Sequence, residues 1–191
     1  MSVFLDSPMG ISATAVYEEF VDLYNPEIQK EFEKGDPFSF PGLVVTRSGK
    51  QSKRIERVPG KKVIIAGSGM MTGGRIVGHA SRYLGEAKNR ILFVGYQGEE
   101  TLGREIKEGA TEVQIEDVTV PVNATVTKIE NLSAHGDQTQ LMNWVSAIKN
   151  VKKVVLIHGE DDARAVFAQK ISSELPVENV YTPHMEETVT L

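Results

Sequence analysis

The feature that most narrows the fold is an alternation. Short apolar runs recur along the chain: Val3-Phe4-Leu5, Leu43-Val44-Val45, Val63-Ile64-Ile65-Ala66 and Ile91-Leu92-Phe93-Val94. Between them lie stretches with helical period. Ser12 to Tyr24 places Val16, Phe20 and Leu23 on one face and predicts a helix after the turn at Ser7-Pro8. Asn25-Pro26 ends that helix and starts a second through Ile28 and Phe32, before a break at Gly35-Asp36-Pro37. A further helix is expected from about Gly74 to Leu84. Strands that alternate with helices imply a Rossmann-like parallel sheet with flanking helices.

Past Ala110 the pattern changes. Val113, Ile115, Val118, Val120, Val122, Ala124 and Val126 alternate with polar residues and predict short antiparallel strands. Helical period then returns. Asp137 and Gln140 have the spacing of a capping box, and Leu141, Val145 and Ile148 are the expected buried face, with Trp144 at its side. A strand over Val154 to Ile157, a helix from about Asp161 to Glu174 and a last strand over Thr188 to Leu191 complete the prediction.

A chain of 191 residues is one large domain or two small ones, with enough length to bury a core. The absence of cysteine excludes disulfides and thiolate zinc sites and fits a cytoplasmic protein. No apolar run approaches the ~18 residues that span a bilayer. The start, Met1 to Asp6, reads as a strand and lacks the basic head and long apolar stretch of a signal peptide.

The net charge of −5 conceals an asymmetry. From Arg47 to Arg90 eleven basic residues face only Glu56 and Glu86, a local excess of nine that leaves −14 for the remainder. Such a block is either a solvated face or a footprint for phosphates.

Within that block, Gly67-Ser68-Gly69-Met70-Met71-Thr72-Gly73-Gly74-Arg75 links a buried-type strand to a helix. Glycines there allow close approach to a ligand, and a helix N-terminus offers unpaired N–H groups to an anion. Ser68, Gly69, Thr72, Gly73, Gly74 and Arg75 are therefore the candidate phosphate-binding residues. A tight turn with no ligand is the plainer alternative. For Arg75 the alternative is an internal ion pair with an acid of the C-terminal segment. The turn is not a Walker A loop, since no Gly-Lys-Ser/Thr follows. It is a poor dinucleotide fingerprint as well, with Thr72 where a third glycine belongs and Gly95-Tyr96 where a ribose-binding acid would end the next strand.

Two histidine motifs stand at element ends: Ser133-Ala134-His135-Gly136-Asp137 before a helix, and His158-Gly159-Glu160 after a strand. Each imidazole is followed by glycine and an acid, which distinguishes them from His79 and His184, expected to be structural. Asp137 and Glu160 support the histidines or simply cap helices. No HxHxDH, HExxH or CxxC cluster is present.

Together these motifs resemble the β-CASP branch of the metallo-β-lactamase superfamily, RNA-processing nucleases similar to the cleavage and polyadenylation specificity factor nuclease. The resemblance covers nearly the whole chain. It rests on Asp6-Ser7-Pro8-Met9, Ser68 to Arg75, Gly95-Tyr96-Gln97 with Thr101-Leu102-Gly103-Arg104, Ser133 to Asp137, and His158-Gly159-Glu160. Glu100 departs from it, where the family pattern usually has glycine before the Thr-Leu-Gly-Arg run.

The resemblance implies that residues 1–130 form the second half of a β-CASP cap and residues 131–191 the C-terminal return segment of a metallo-β-lactamase core. It implies a parent enzyme in which two zinc ions activate water against an RNA phosphodiester. By motif matching, His135 is expected to protonate the leaving oxygen, His158 to bind zinc, and the glycine-rich turn to contact RNA phosphate.

The family's earlier zinc ligands have no counterpart here, and one histidine does not hold a catalytic zinc, which needs about three protein ligands. The expectation is a C-terminal portion that is inactive alone and does not hold the zinc pair. Its expected partners are RNA and either the missing N-terminal half or another copy of the chain, with no membrane. Two other readings fit the same residues: a nucleotide- or dinucleotide-binding Rossmann-like protein, and a non-catalytic RNA-binding module.

Overall fold

The computed structural model describes residues 1–129 and 132–190. The chain divides into two compact units, Met1–Leu132 and Ser133–Leu191.

The first unit is built on β1 (Ser2–Leu5), the central strand of a parallel sheet ordered β2-β1-β3, with β2 at Leu43–Val45 and β3 at Lys62–Ile65. Val3 pairs with Leu43 and Val63, and Leu5 with Val45 and Ile65, so these six side chains share one face. Phe4 is buried on the other. β4 (Arg90–Phe93) and β7 (Thr125–Lys128) form a second parallel pair, and β5 (Glu112–Ile115) and β6 (Val118–Pro121) an antiparallel hairpin.

Five helices join these strands: α1 (Pro8–Glu19), α2 (Pro26–Lys34), α3 (Gly49–Arg54), α4 (Arg75–Tyr83) and α5 (Leu102–Lys107). The core gathers Met71, Leu84, Phe93, Ile106, Val113 and Val120.

The second unit runs α6 (Gln138–Ala147), β8 (Lys153–Val155), α7 (Asp161–Glu174) and β9 (Asn179–Tyr181). β8 and β9 are parallel, joined through α7, whose Ile171 is fully buried. The predicted capping box at α6 is present: Asp137 accepts from the Gln140 N–H, and the Gln140 side chain accepts from the Asp137 N–H.

Several expectations are corrected. The first helix starts at Pro8, not Ser12, because proline suits the first helical position and Ser7 caps it by accepting the Gly10 N–H. Its buried residue is Ile11, while Val16, Phe20 and Leu23 are exposed. Within the basic stretch after β2, for which no helix was predicted, Ser48 and Gln51 form a capping box that starts α3.

β7 pairs in parallel with β4 rather than antiparallel, since alternation reports a half-buried strand and not its direction. On α6 the buried stripe is Met142 and Val145, with Leu141, Trp144 and Ile148 exposed. Apolar residues there wrap more than half of the helix, and only one stripe is covered. The last strand is β9, with no strand over 188–190, and Leu191 lies outside the described residues. No helix among the described residues is long and apolar enough to cross a membrane.

Candidate nucleic-acid interface

β3 ends at Ile65 and α4 begins at Arg75. The turn between them closes on itself. The Ser68 N–H donates to Gly73 O (3.2 Å), the Met71 N–H to Ser68 O (3.1 Å), and the Ile76 N–H to Gly67 O (3.1 Å). The Ser68 and Thr72 hydroxyls lie 3.1 Å apart.

Gly74 has φ +78°, and a Cβ there would sit 2.5 Å from Gly67 O, so no other residue fits. At Gly69 and Gly73 a Cβ would meet nothing within 4 Å. The N–H groups of Gly69, Thr72, Gly73 and Gly74 donate to no protein acceptor among the described residues. Open space, unpaired donors and the N-terminus of α4 therefore lie together at this turn, the combination that suits an anion.

Both sides of the turn are held by buried polar groups. On one side Gln97, 1% exposed, donates through Nε2 to Gly69 O (2.9 Å) and Tyr96 O (2.9 Å). The Gly103 N–H, in the helix that Thr101 caps, donates to Met70 O (3.2 Å).

On the other side stands Asp6, fully buried at the end of β1. Its Oδ1 accepts from Arg75 Nη1 (2.6 Å) and from the Thr46 hydroxyl. Its Oδ2 accepts from the Ser52 hydroxyl (2.6 Å) and His79 Nε2 (2.7 Å). Burial alone would push this carboxyl up, but the hydrogen bonds from Ser52, Thr46, His79 and Arg75 outweigh it and hold the pKa at about 2. The carboxylate therefore stays ionised and His79 Nε2 carries the shared proton.

Arg75 differs from expectation. Its guanidinium is turned into the protein, donating to Asp6, to Thr46 O (2.7 Å) and to Arg47 O (3.0 Å). The ion pair is internal, but its acid belongs to the first strand and not to the C-terminal segment. Asp6, Thr46, Ser52 and Gln97 were given no role from sequence, and His79 only a structural one. Only Asp6 and Gln97 lay inside quoted motifs, and nothing in the spacing of the others signals a shared site.

The basic block is divided in use. Lys62 caps carbonyls of Ile55 and Val58 (2.8 Å each), and Arg82 lies 3.6 Å from Glu56. Arg47, Lys50, Lys53, Arg54, Arg57 and Lys61 are exposed and pair with no acid among the described residues. They stand on and beside α3, which Ser52 ties to Asp6.

In the second unit His135 and His158 come together, ring centroids 6.1 Å apart and planes 23° from parallel. Both are exposed. Ser133 Oγ lies 3.2 Å from His135 Nδ1 and accepts the His135 N–H. His158 has φ +69°, a left-handed backbone conformation uncommon for a residue other than glycine, in the loop between β8 and α7. Asp137 caps α6, and Glu160 sits at the N-cap position of α7 without a side-chain cap bond.

As a zinc site this donor set does not fit: among the described residues no group of three or more His, Cys, Asp or Glu could hold a metal ion.

The fold and these sites define an α/β protein with a glycine-rich strand-to-helix turn whose backbone donors are unpaired among the described residues and with an exposed imidazole pair. Comparison with known proteins then places it. The Beta-Casp domain family matches residues 1–106, and the Zn-dependent metallo-hydrolase RNA specificity domain matches residues 119–183. The chain belongs to the Beta-Casp metallo-hydrolase family.

It is 37% identical over 161 residues to a ribonuclease of Thermus thermophilus, covering 84% of this chain and 37% of that protein. It is 34% identical over 178 residues to the transcription termination factor FttA of Methanocaldococcus jannaschii (88% and 28% covered). With an RNase J-like protein of the same archaeon it shares 34% over 171 residues (87% and 38% covered). The chain thus spans about a third of the length of these relatives. The second family match begins at 119, inside the first compact unit.

Proposed function

We propose that this chain is the RNA-holding portion of a zinc-dependent ribonuclease and supplies two late histidines to its active site. The observation that carries this is the turn over residues 67–74: donors without acceptors, beside a helix with unpaired cations, in a chain whose relatives include a ribonuclease and an RNase J-like protein. Backbone N–H groups of Gly69, Thr72, Gly73 and Gly74 and the Ser68 and Thr72 hydroxyls hold an RNA phosphate. Arg75 acts from behind, holding the turn. The α3 cations neutralise neighbouring phosphates.

His158 would contribute one zinc ligand and His135 a proton donor only if a further metallo-hydrolase segment supplied the remaining ligands. That segment also covers the open face of the first sheet, where Val63 and Ile65 are 41% and 50% exposed. A parallel sheet is normally covered on both faces. Asp137 and Glu160 set the two histidine loops at the starts of their helices.

The test is equilibrium binding of a fluorescent single-stranded RNA to wild type and to Ser68→Ala/Thr72→Ala. Loss of two hydroxyl contacts to a charged oxygen should weaken binding by more than the roughly tenfold that one such contact is worth. Equal affinities would reject the turn as the contact.

A nucleotide-binding reading receives no comparable support, since Gly95-Tyr96-Gln97 follow β4 where a ribose-binding acid would stand, and Gln97 Nε2 is spent on Gly69 O of the turn and on Gly95 O and Tyr96 O.

A further inference from the structure

Asp6 has no contact with solvent, yet it joins four segments distant in sequence. It ends β1, takes a hydrogen bond from Thr46 after β2, one from Ser52 in α3, and two from Arg75 and His79 in α4. All four donors converge on one carboxylate, two on each oxygen. Arg75 is the first residue of α4 and directly follows Gly74, so pinning it fixes where the turn ends. Ser52 lies between Lys50, Lys53 and Arg54, so pinning it fixes where the cations stand.

Arg75 Nη1 and Nη2 reinforce this by donating to the carbonyls of Thr46 and Arg47. Gln97 grips the far side of the same turn but reaches no part of α3. Among the described residues, Asp6 alone is bonded to both the α4 end of the turn and the basic helix.

We propose that Asp6 is a positioning residue for RNA binding: its buried carboxylate sets the glycine-rich turn, through Arg75, at a fixed distance from the cations of α3, through Ser52. This rests on the reading of the turn as an RNA-phosphate contact. A rigid pair of sites meets consecutive phosphates without ordering cost, whereas two independently moving elements lose that advantage. An aspartate is needed because an ionised carboxylate accepts on both oxygens at once. An asparagine of the same shape presents an NH2 to one pair of donors and removes the charge that balances Arg75.

The test uses the full chain with Asp6→Asn, Ser52→Ala and the Asp6→Asn/Arg75→Gln double variant, each checked by circular dichroism. Two readouts are taken below the unfolding temperature: amide hydrogen exchange, and affinity for a 5′-labelled oligouridylate of ten nucleotides. Asp6→Asn should raise exchange of residues 67–76 and 47–55 at least tenfold with the β5–β6 hairpin unchanged, and should weaken binding about tenfold, the worth of one charge-assisted contact. Ser52→Ala, which leaves the Arg75 pair intact, should free 47–55 alone and weaken binding about threefold, a smaller loss. The double variant should bind no worse than Asp6→Asn, since Asp6 acts through Arg75.

Folded Asp6→Asn with wild-type affinity, while Ser68→Ala/Thr72→Ala binds weakly, would overturn the positioning role and leave the turn as the contact. Faster exchange of the turn with wild-type affinity in every variant would overturn both. If Asp6→Asn does not fold, Ser52→Ala decides, and wild-type affinity there refutes the coupling.

Discussion

The carboxylate of Asp6 is closed off from water, and four donors point at it. Removing one partner of such a cluster costs more than the pair is worth, because the other charge stays behind without compensation. Asp6→Ala should therefore lower unfolding stability by about 3–5 kcal/mol, measured by urea unfolding at neutral pH.

The sign of the pH dependence follows from the same group. Its carboxyl is held at about 2 against an ordinary value of 3.8, so its contribution is present above pH 4 and is lost as pH falls toward 2. Wild type should destabilise over that window, and Asp6→Asn should show a shallower decline when unfolding is followed from pH 5 to pH 2. An identical decline in both would show that other carboxylates govern acid unfolding.

Asp6 also marks what a sequence withholds at this scale. Its partners lie 40 to 73 positions away, and no local period connects a strand-end acid to a helical histidine. His79 was expected to be structural and is buried, but its partner emerges only when β1 and α4 are brought together. Arg75 misled for the same reason: the glycines before it announce an anion site, while the acid that claims its guanidinium is remote in the chain.

At the scale of elements, local chemistry was the more legible. Asp137 with Gln140 follows from a capping rule that acts within four residues, and the helical period alone placed α7 over Asp161–Glu174, whose N-cap Glu160 makes no side-chain cap bond. The β-α alternation likewise predicted parallel pairing of β1, β2 and β3. Errors arose where tertiary pairing decides: β7 chose β4, and β9 formed from Asn179-Val180-Tyr181, a run too short and polar at its start to stand out.

The glycine-rich turn yields a contrast within one element. Gly74→Ala forces a Cβ against Gly67 O at a positive φ and should destabilise by about 2–3 kcal/mol. Gly73→Ala meets open space and should stay within about 0.5 kcal/mol of wild type, while the added methyl should intrude on the proposed phosphate position and weaken RNA binding. Thermal unfolding and binding of the two variants, read side by side, separate a glycine required by backbone geometry from one required by a ligand. Equal stability losses at both positions would contradict the open space at Gly73.

For the whole molecule, the imidazole pair and the turn lie in different compact units, each complete in local structure. The motifs singled out both clusters, because both sit at element ends and each motif is contiguous in sequence. What contiguous motifs could not show is how the first unit braces its turn. With two exposed histidines and no third donor beside them among the described residues, zinc should bind this chain weakly. Removing metal with a chelator should leave its unfolding temperature unchanged, and a drop of several degrees would reveal a tighter site. The central claim is that phosphate recognition by the turn and the α3 cations is the business of this chain. It is tested most directly by the salt dependence of single-stranded RNA affinity. If about four to six phosphates are neutralised, log K should fall against log salt with a slope of about −3 to −4, and charge reversal at Lys53 and Arg54 should flatten it by about 1–2. Absence of binding at low salt, or a slope near zero, would contradict the account.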